Sequence, residues 1–337
     1  MSHQDLSPVA RPGTHATVAV IVVNYGTADL AVDAVESVRA HGHGGRSVEI
    51  HLVDNASPGN DAARFRDVHE ARDWGSDVTL WCERENHGFG RGNNVVMAAL
   101  SARDDPPEFV FLLNPDARLE NEAIAILADF LDAHSEVAIA GAALLRPGGQ
   151  RVSSAFRFPG MASEFERAAA FGPISRRLAR WRSALEPELV EPRRVDWVSG
   201  AAFLARFADL AEVGFFDPAF FLYFEEIDLM ARVTQGGGEV WTVPEARVAH
   251  VAGAATGMVG GVSRKDRLPG YWFESWRIFF SKRHGRARAS AIAVARLSGC
   301  AIDRTTSALR RRSPATPPHF ISDFLRYVLK PLVTGRY

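Results

Sequence analysis

The sequence predicts an α/β fold, with a mainly parallel central sheet flanked by helices and a basic helical extension at the C-terminal end. Two observations predict the sheet: short, continuously apolar segments alternate with helical patterns, and these segments are of strand length. The run FVFLL at 109–113 is the clearest, because such a run is typical of a strand buried on both faces. The third observation, the concentration of positive charge near the C-terminus, predicts the extension.

The predicted elements follow one another in a regular order. The β-branched segment 17–23 predicts a first strand that ends at Asn24 and Tyr25, and the apolar spacing over 30–38 predicts the helix after it. This alternation then repeats, as expected of a doubly wound layer. Further strands are predicted at 48–53, 78–81, 109–113 and 137–145, and further helices at 95–101 and near 122–133.

The second half of the chain is less regular. Residues 160–195 are rich in arginine, alanine and proline and predict a helical or looped excursion over the sheet. Segment 220–232 changes from an apolar run to a helix that opens with acids, which suits the positive end of a helix dipole. Two short strands are predicted at 239–243 and 247–251, and the second carries His250.

The net charge of −1 conceals two parts of opposite charge. Residues 264–337 contain 16 Lys and Arg against 4 Asp and Glu, so the rest of the chain is acidic. We therefore divide the chain into a disordered tail at 1–16, a main α/β domain at 17–263 and a basic region of amphipathic helices at 264–337. Such helices are typical of proteins that lie on an anionic membrane surface, and ordinary packing against the sheet is an equal alternative.

Composition also narrows the cellular setting. Cys82 and Cys300 match no metal-ligand spacing and no disulfide framework, which favours a reducing, cytoplasmic compartment. The N-terminal segment lacks an apolar core of signal-peptide length. No segment approaches the roughly 20 apolar residues of a membrane span.

Acids and one histidine recur at the predicted ends of strands. Asp54 follows the second strand, Asp116 the fourth, and His250 ends the last. In an open parallel sheet such positions converge on the crevice that binds ligands. Asp116 and His250 would then form a site for Mg²⁺ or Mn²⁺ with room for phosphate oxygens. Taken alone, Asp116 is more often a loop residue or a helix cap.

Three carboxylates lie at the start of the helix predicted within 220–232. Glu226 or Asp228 can act as general base toward an acceptor hydroxyl, which requires hydrogen-bond reach more than a large pKa shift. The alternative is that these two residues and Glu225 only complement the helix dipole.

The glycine-rich segment 86–94, NHGFGRGNN, is a weak match to known nucleotide loops. It follows a third strand and has asparagine at 93, unlike a dinucleotide fingerprint, and it lacks the Lys-Ser/Thr of a phosphate-binding loop. Two interpretations remain: close backbone approach to a nucleotide sugar, or a simple turn at a helix entry.

Seven motifs occur in order between residues 17 and 252. They are VVNY at 22–25, VDNAS at 53–57, NxGF at 86–89, NPD at 114–116, WVSGA at 197–201, FFLYFEEIDL at 220–229 and the late His250. The set resembles the family-two inverting glycosyltransferases of the GT-A fold, and most closely the bacterial rhamnosyltransferase-like members. Segment 264–285 is similar to the tail of many of these enzymes.

The resemblance implies a role for each matching position. Asp54 would hydrogen-bond the pyrimidine base, and Glu226 would be the catalytic base. Asp116 would be the metal-binding acid of the family's Asp-x-Asp motif, with His250 as a further ligand near the diphosphate. The other positions implied in binding the donor or bordering the acceptor are Asn24, Tyr25, Asn86, Gly88, Asn94, Asn114, Trp197 and Gly200.

Two positions depart from the family pattern. Asn114 replaces the first acid of the metal motif, so a metal would depend more on the diphosphate itself. Glu226 stands where the family often has aspartate, which lengthens the reach of the carboxylate. Asp228 remains a rival for the base.

The implied activity is metal-assisted transfer of a sugar to a hydroxyl of a cell-surface polysaccharide or lipid-linked glycan. The first donor expected is dTDP-rhamnose and the second a UDP-sugar, and the enzyme would work in the cytoplasm or on the inner face of the plasma membrane. One alternative is a sugar-phosphate nucleotidyltransferase, but no Lys or Arg follows the first strand at 24–29. The other is a non-enzymatic protein that binds membranes or nucleic acid, although the acidic body would repel nucleic acid.

Overall fold

The structure is a computed structural model that describes residues 18–251 and 266–335. The predicted tail at 1–16, position 17 of the first predicted strand and the predicted boundary at 263/264 lie outside these segments. The strands are β1 Val18–Asn24, β2 Val48–Asp54, β3 Val78–Cys82, β4 Phe109–Leu113, β5 Ala117–Leu119, β6 Val137–Leu145, β7 Arg151–Val152, β8 Ala155–Phe156, β9 Arg193–Val195, β10 Trp197–Val198, β11 Ala202–Arg206 and β12 Glu239–His250. The helices are α1 Ala28–Arg39, α2 Asp61–Ala71, α3 Gly88–Ser101, α4 Ala123–Ala133, α5 Met161–Ala169, α6 Gly172–Arg177, α7 Phe207–Glu212, α8 Glu225–Gln235, α9 Gly270–Leu309, α10 Phe320–Phe324 and α11 Lys330–Thr334.

The main sheet has the strand order β3-β2-β1-β4-β11-β6-β12-β5. β1 pairs in parallel with β2 and β4, and β2 pairs in parallel with β3. β11 runs antiparallel between β4 and β6, so β6 and its parallel partner β12 point the same way as the first four strands. The predicted mainly parallel sheet flanked by helices is therefore confirmed.

Helices cover both faces of this sheet. On one face, α1, α2 and α4 bury an apolar core that includes Val20, Phe111 and Leu127. On the other, α3, α7 and α8 bury a second core that includes Leu112 and Met230. β4 contributes to both cores, which is why its sequence is apolar without interruption.

Three of the departures from the sequence-based prediction concern α3, β12 and β5. α3 begins at Gly88 and not at 95, since its glycines lie inside the helix. The two strands predicted at 239–243 and 247–251 are one strand, β12, whose register against β6 shifts between Val243 and Arg247. Pro244 lies within this shift and has no amide hydrogen for the ladder. The short strand β5 had no sequence pattern to predict it, and it pairs with the end of β12.

The C-terminal helices pack against the sheet domain. α9 has a break in helical geometry at Gly285, where φ is +75°. Its aromatic residues form a third apolar core with α10 and with Phe220 and Ile227. α9 also approaches α5 closely at Gly299, where a Cβ would lie 2.6 Å from the carbonyl oxygen of Phe165. None of the helices in the two described segments has the length and sustained hydrophobicity that a bilayer crossing requires.

Candidate active site

The carboxyl ends of the parallel strands bring polar residues to one edge of the sheet. Asn24 and Asp54 are the last residues of β1 and β2 and are paired directly in the sheet register. β4, the other neighbour of β1, leads into Asn114 and Asp116. Open parallel sheets bind their ligands outside this edge, so the crevice expected there begins with these four side chains.

Asp116 and His250 meet where β5 pairs with β12. His250 is opposite Ala117 in antiparallel register, and the amide of Val251 donates to the carbonyl of Asp116 at 3.0 Å. These backbone contacts bring Nε2 of His250 to 3.0 Å from Oδ1 of Asp116. The amide nitrogen of Asn114 lies 3.5 Å from the same Nε2. A carboxylate, an imidazole and a carboxamide are thus gathered in one place.

This set of donors fits a divalent cation that also binds phosphate. Carboxylate and amide oxygens suit Mg²⁺ and Mn²⁺, and an imidazole nitrogen suits Mn²⁺. Within residues 18–251 and 266–335, no group of three or more His, Cys, Asp and Glu side chains is arranged to hold a metal. A cation beside Asp116 and His250 would take its remaining ligands from other groups, such as a bound diphosphate or water.

A cleft of about 580 Å³ opens beside Asp116. Its walls come from α1, β5, the turn after β6 and the end of β12, and they include Arg118 and Arg146. Guanidinium groups suit phosphate oxygens, so both arginines are candidate donor contacts that sequence analysis missed. No sequence signal pointed to Arg118, because no pattern predicted β5, the strand that carries it.

Asn24 is fully buried, and its side chain is already used within the fold. Its Oδ1 accepts from the backbone and hydroxyl of Thr27 at 3.1 and 2.8 Å, and its Nδ2 donates to Asp61 at 2.8 Å. The hydroxyl of Ser57 accepts from Asn24 and from the amide of Gly26. Asn24 thereby ties the loop after β1 to the loop after β2.

Tyr25 and Asp54 are placed differently from Asn24. Tyr25 follows it directly and is 38% exposed, so its ring is available to a ligand. Asp54 is buried at the end of β2, and its Oδ1 accepts from the amide of Ser57 at 3.3 Å. The two residues lie on the same strand-end edge as Asp116.

Glu225 and Glu226 begin α8 after an unusual backbone turn. Tyr223 and Phe224 have φ of +71° and +69°, the left-handed region that bulky residues seldom adopt. Such conformations cost about 1–3 kcal/mol each and tend to occur at functional sites. Glu226 lies beside Gly200, since a Cβ on that glycine would be 3.6 Å from the Cβ of Glu226. Gly200 thus borders the Cβ and Cγ atoms that carry the Glu226 carboxyl.

The two glutamates share an environment that favours the protonated state. Burial raises the pKa of Glu226, and burial together with the charge of Glu226 raises the pKa of Glu225 well above its usual range. Among the described residues, Oε2 of each has no hydrogen-bond partner. Neighbouring carboxyls of this kind titrate as a pair. A carboxylate with a raised pKa is a stronger proton acceptor, which suits a general base.

Asp228 is held in an ionic network. Its Oδ2 accepts from Nε of Arg232 at 2.7 Å, and its Oδ1 lies 3.5 Å from Nζ of Lys282. Arg232 also donates to the carbonyls of Val213 and Phe215, at 2.5 and 2.6 Å. The network joins α8, α9 and the loop after α7, so Asp228 has a structural task that Glu226 does not share.

The glycine-rich segment packs against the protein's own backbone. A Cβ on Gly88 would lie 1.7 Å from the carbonyl oxygen of Phe221. The side chain of Asn94 donates to the carbonyl of Phe216 at 2.8 Å and accepts from its amide at 3.1 Å. Asn86 accepts from the amide of Gly88 at 2.8 Å. The segment therefore anchors α3 to the loop before α8.

The WVSGA loop is fixed by its tryptophan. Trp197 stacks on Phe156, with 4.0 Å between the ring centroids, and its Nε1 donates to the carbonyl of Arg157 at 3.0 Å. The loop then reaches Gly200, which borders both Glu226 and the ring of Phe89. Phe89 closes the NxGF motif at 86–89, but the sequence alone gave it no role.

Residues 19–227 match the profile of Glycosyl transferase family 2. The chain belongs to this family. It is a glycosyltransferase, and the alternatives of a nucleotidyltransferase and of a non-enzymatic binding protein are set aside. The sequence resemblance to family-two enzymes is confirmed.

Two relatives of this glycosyltransferase have related names. It is 31% identical over 220 residues to the N-acetylglucosaminyl-diphospho-decaprenol L-rhamnosyltransferase of Mycobacterium tuberculosis. The match covers 63% of this chain and 69% of the relative. It is 25% identical over 170 residues to Rhamnosyltransferase WbbL of Escherichia coli. This match covers 49% of this chain and 61% of that relative.

Solved structures of low sequence identity share the fold of this glycosyltransferase. GalNAc-T7 with UDP, GalNAc and Mn²⁺ matches with a TM-score of 0.56 at 14% identity, over 97% of this chain and 59% of that one. The mannosyltransferase PcManGT of Pyrobaculum calidifontis, in complex with GDP-Man and Mn²⁺, matches with a TM-score of 0.51 at 14% identity. The match covers 98% of this chain and 91% of PcManGT. The predicted GT-A-type fold is confirmed.

Proposed function

We propose that this glycosyltransferase is an inverting rhamnosyltransferase that transfers rhamnose from dTDP-rhamnose to a hydroxyl of a lipid-linked glycan. The names of both relatives support the sugar, and the name of the mycobacterial one supports an acceptor on a lipid diphosphate. A UDP-sugar is the second candidate donor, because Asp54 would read an edge that uracil and thymine share.

The observation that carries the mechanism is the environment of Glu226. Its carboxyl has a pKa raised by burial and has one oxygen without a partner among the described residues, and its side chain lies beside Gly200. In the proposed reaction the acceptor oxygen forms a bond to the anomeric carbon while its proton passes to Glu226. The bond from that carbon to the diphosphate breaks, and the nucleoside diphosphate departs from the opposite side.

Asp116 and His250 are the residues proposed to hold a Mg²⁺ or Mn²⁺ ion, with Asn114 beside them. When bound, such an ion supplies positive charge that stabilises the leaving diphosphate. Arg118 and Arg146, which line the adjoining cleft, add charge of the same sign.

The remaining predicted residues divide into contacts and supports in this proposal. Asp54 and Tyr25 would contact the nucleoside, and Trp197 and Gly200 would border the sugar or acceptor. The exposure of Tyr25 and the position of Asp54 at the strand-end edge support the nucleoside contacts. The side chains of Asn24, Asn86 and Asn94, by contrast, are engaged by protein atoms. Together with Gly88, these three residues would support the wall of the donor pocket through their contacts with the rest of the protein.

The test is a transfer assay with purified protein. We would offer dTDP-rhamnose or a panel of UDP-sugars, with Mn²⁺, to an N-acetylglucosaminyl-diphospholipid acceptor, and determine the product by mass spectrometry and its anomeric configuration by NMR. Rhamnose transfer with inversion, lost in Glu226→Gln, is expected. Retention of configuration, or full activity of Glu226→Gln, would overturn the mechanism, and transfer from a UDP-sugar alone would overturn the donor.

A further inference from the structure

The last helical segment of the chain has an inner and an outer apolar face. α10, a π-helical turn at Leu325–Leu329 and α11 follow one another without a break. The inner face is buried in the third core through Phe320, Phe324, Val328 and Leu332. An outer row at i, i+4 and i+8 lines an open groove of about 740 Å³, and its members are Leu325, Leu329 and Val333.

Polar contacts hold this segment firmly on α9 and the chain before it. Arg267 donates to both carboxylate oxygens of Asp323, at 2.8 and 2.6 Å. Near the other end, Arg286 donates to the carbonyl of Leu332 at 2.8 Å. The outer row is therefore presented by a segment packed in place, with Leu325 43% and Val333 67% exposed.

The charge around the outer row has one sign. Arg326 and Lys330 line the same groove and are exposed. Asp323 is the one acidic residue in the sequence from 304 to 337, and it is buried and paired with Arg267. A partner for this surface must thus accept apolar side chains and carry negative charge. An anionic phospholipid bilayer satisfies both requirements at its headgroup boundary.

We propose that the surface formed by Leu325, Arg326, Leu329, Lys330 and Val333 docks the enzyme on an anionic phospholipid bilayer. The apolar row enters the headgroup boundary, and the two cations bind lipid phosphates. Such docking would bring the enzyme to acceptors that are carried in the membrane. Binding is measured without sugar transfer, so this inference stands or falls separately from the proposed function.

The experiment is co-sedimentation of the full chain with vesicles. One set contains phosphatidylcholine alone, and the other contains equal parts of phosphatidylcholine and phosphatidylglycerol. Two variants alter the surface: Leu325→Ser with Val333→Ser, and Arg326→Gln with Lys330→Gln. Matched controls remove equal apolarity at the exposed Val294 and Leu309, or equal charge at the exposed Arg177 and Arg304.

The expected result is binding to the phosphatidylglycerol vesicles and a fall of about tenfold or more in the partition coefficient for each surface variant. The controls should bind like the unaltered chain, and thermal unfolding should confirm that all variants fold. Equal loss in the controls, or no preference for phosphatidylglycerol, would overturn the proposal. Sedimentation velocity adds one further outcome: a dimer that Leu325→Ser with Val333→Ser dissociates would assign the row to a second copy, and so would also overturn it.

Discussion

Nε2 of His250 lies 3.0 Å from Oδ1 of Asp116, across the pairing of β5 with β12. The contact bears on the proposed metal site, where the family resemblance implies that Asn114 stands in place of one acid. In this chain the carboxylate of Asp116 is joined by the imidazole of His250, which comes from the strand that pairs with β5. A site with one carboxylate and one imidazole is weaker for hard cations than one with two carboxylates, and better suited to Mn²⁺.

The first prediction concerns metal affinity. Asp116→Asn should raise the Kd for Mn²⁺, measured calorimetrically with dTDP present, by at least about tenfold. The loss of a residue that contacts the metal should weaken binding at least as much as the loss of a residue that only orients such a ligand. Asn114→Asp should lower that Kd, since it restores the second acid. Asp33→Asn is the control, as Asp33 lines the same cleft without being part of the Asp116–His250 pair. Unchanged Mn²⁺ binding in Asp116→Asn would refute the metal assignment.

The second prediction separates the two candidate bases. Glu226→Gln should lower kcat by about 10²–10⁴-fold with little change in donor KM, because a general base acts in the transition state. Asp228→Asn should mainly lower Tm, because it weakens the pairing with Arg232 and Lys282. Steady-state kinetics and thermal unfolding of both variants provide the measurement. The reverse pattern would identify Asp228 as the base.

The elements predicted correctly from sequence are those whose structure depends mainly on residues near one another in the chain. β6 lies at 137–145 as predicted, because a continuous apolar run specifies a doubly buried strand by itself. α3 was predicted to start too late, since glycine has low helix propensity and the sequence does not reveal its neighbours. In the fold, Gly90 and Gly92 are needed because Phe216 and Val23 lie against them.

The candidate site likewise contains residues that could be predicted from sequence and residues whose roles could not. Asp116 and His250 could be selected from sequence, because strand ends converge in an open sheet. The structural roles of Asn24 and Asp228 could not, because each depends on a partner distant in the chain, Asp61 for one and Lys282 for the other. Short polar motifs therefore predicted the place of the candidate site, but not which of its side chains are left for a ligand.

The third prediction tests the packing at Gly88. Gly88→Ala should lower the free energy of unfolding by about 3 kcal/mol or more, because it adds a steric clash with the Phe221 carbonyl to the cost of a positive φ. Gly214→Ala is the matched control: Gly214 has the same φ of +75° but no atom within 4 Å of its Cβ position. It should lose about 1 kcal/mol. Equal losses in urea unfolding would show that backbone strain alone explains both.

The fourth prediction concerns pH and the Glu225–Glu226 pair. Folding raises the pKa of both carboxyls, so the folded state binds their protons more tightly than the unfolded state. The stability that they contribute is full below the ordinary glutamate pKa of about 4.3 and is lost as pH rises through the folded-state values. The Glu225→Gln variant has no titrating carboxyl at position 225. It therefore also lacks the charge repulsion between positions 225 and 226.

Glu225→Gln should therefore have a higher Tm than the unaltered chain at pH 8, and the difference should shrink as the pH falls toward 4. The same variant should leave the acidic limb of the kcat profile in place, because the pKa of Glu225 lies above that of Glu226 and Glu225 is therefore already neutral when Glu226 ionises. Glu191→Gln, at an exposed site, should change neither measurement. A pH-independent Tm difference in Glu225→Gln would mean that the two carboxyls do not share their titration.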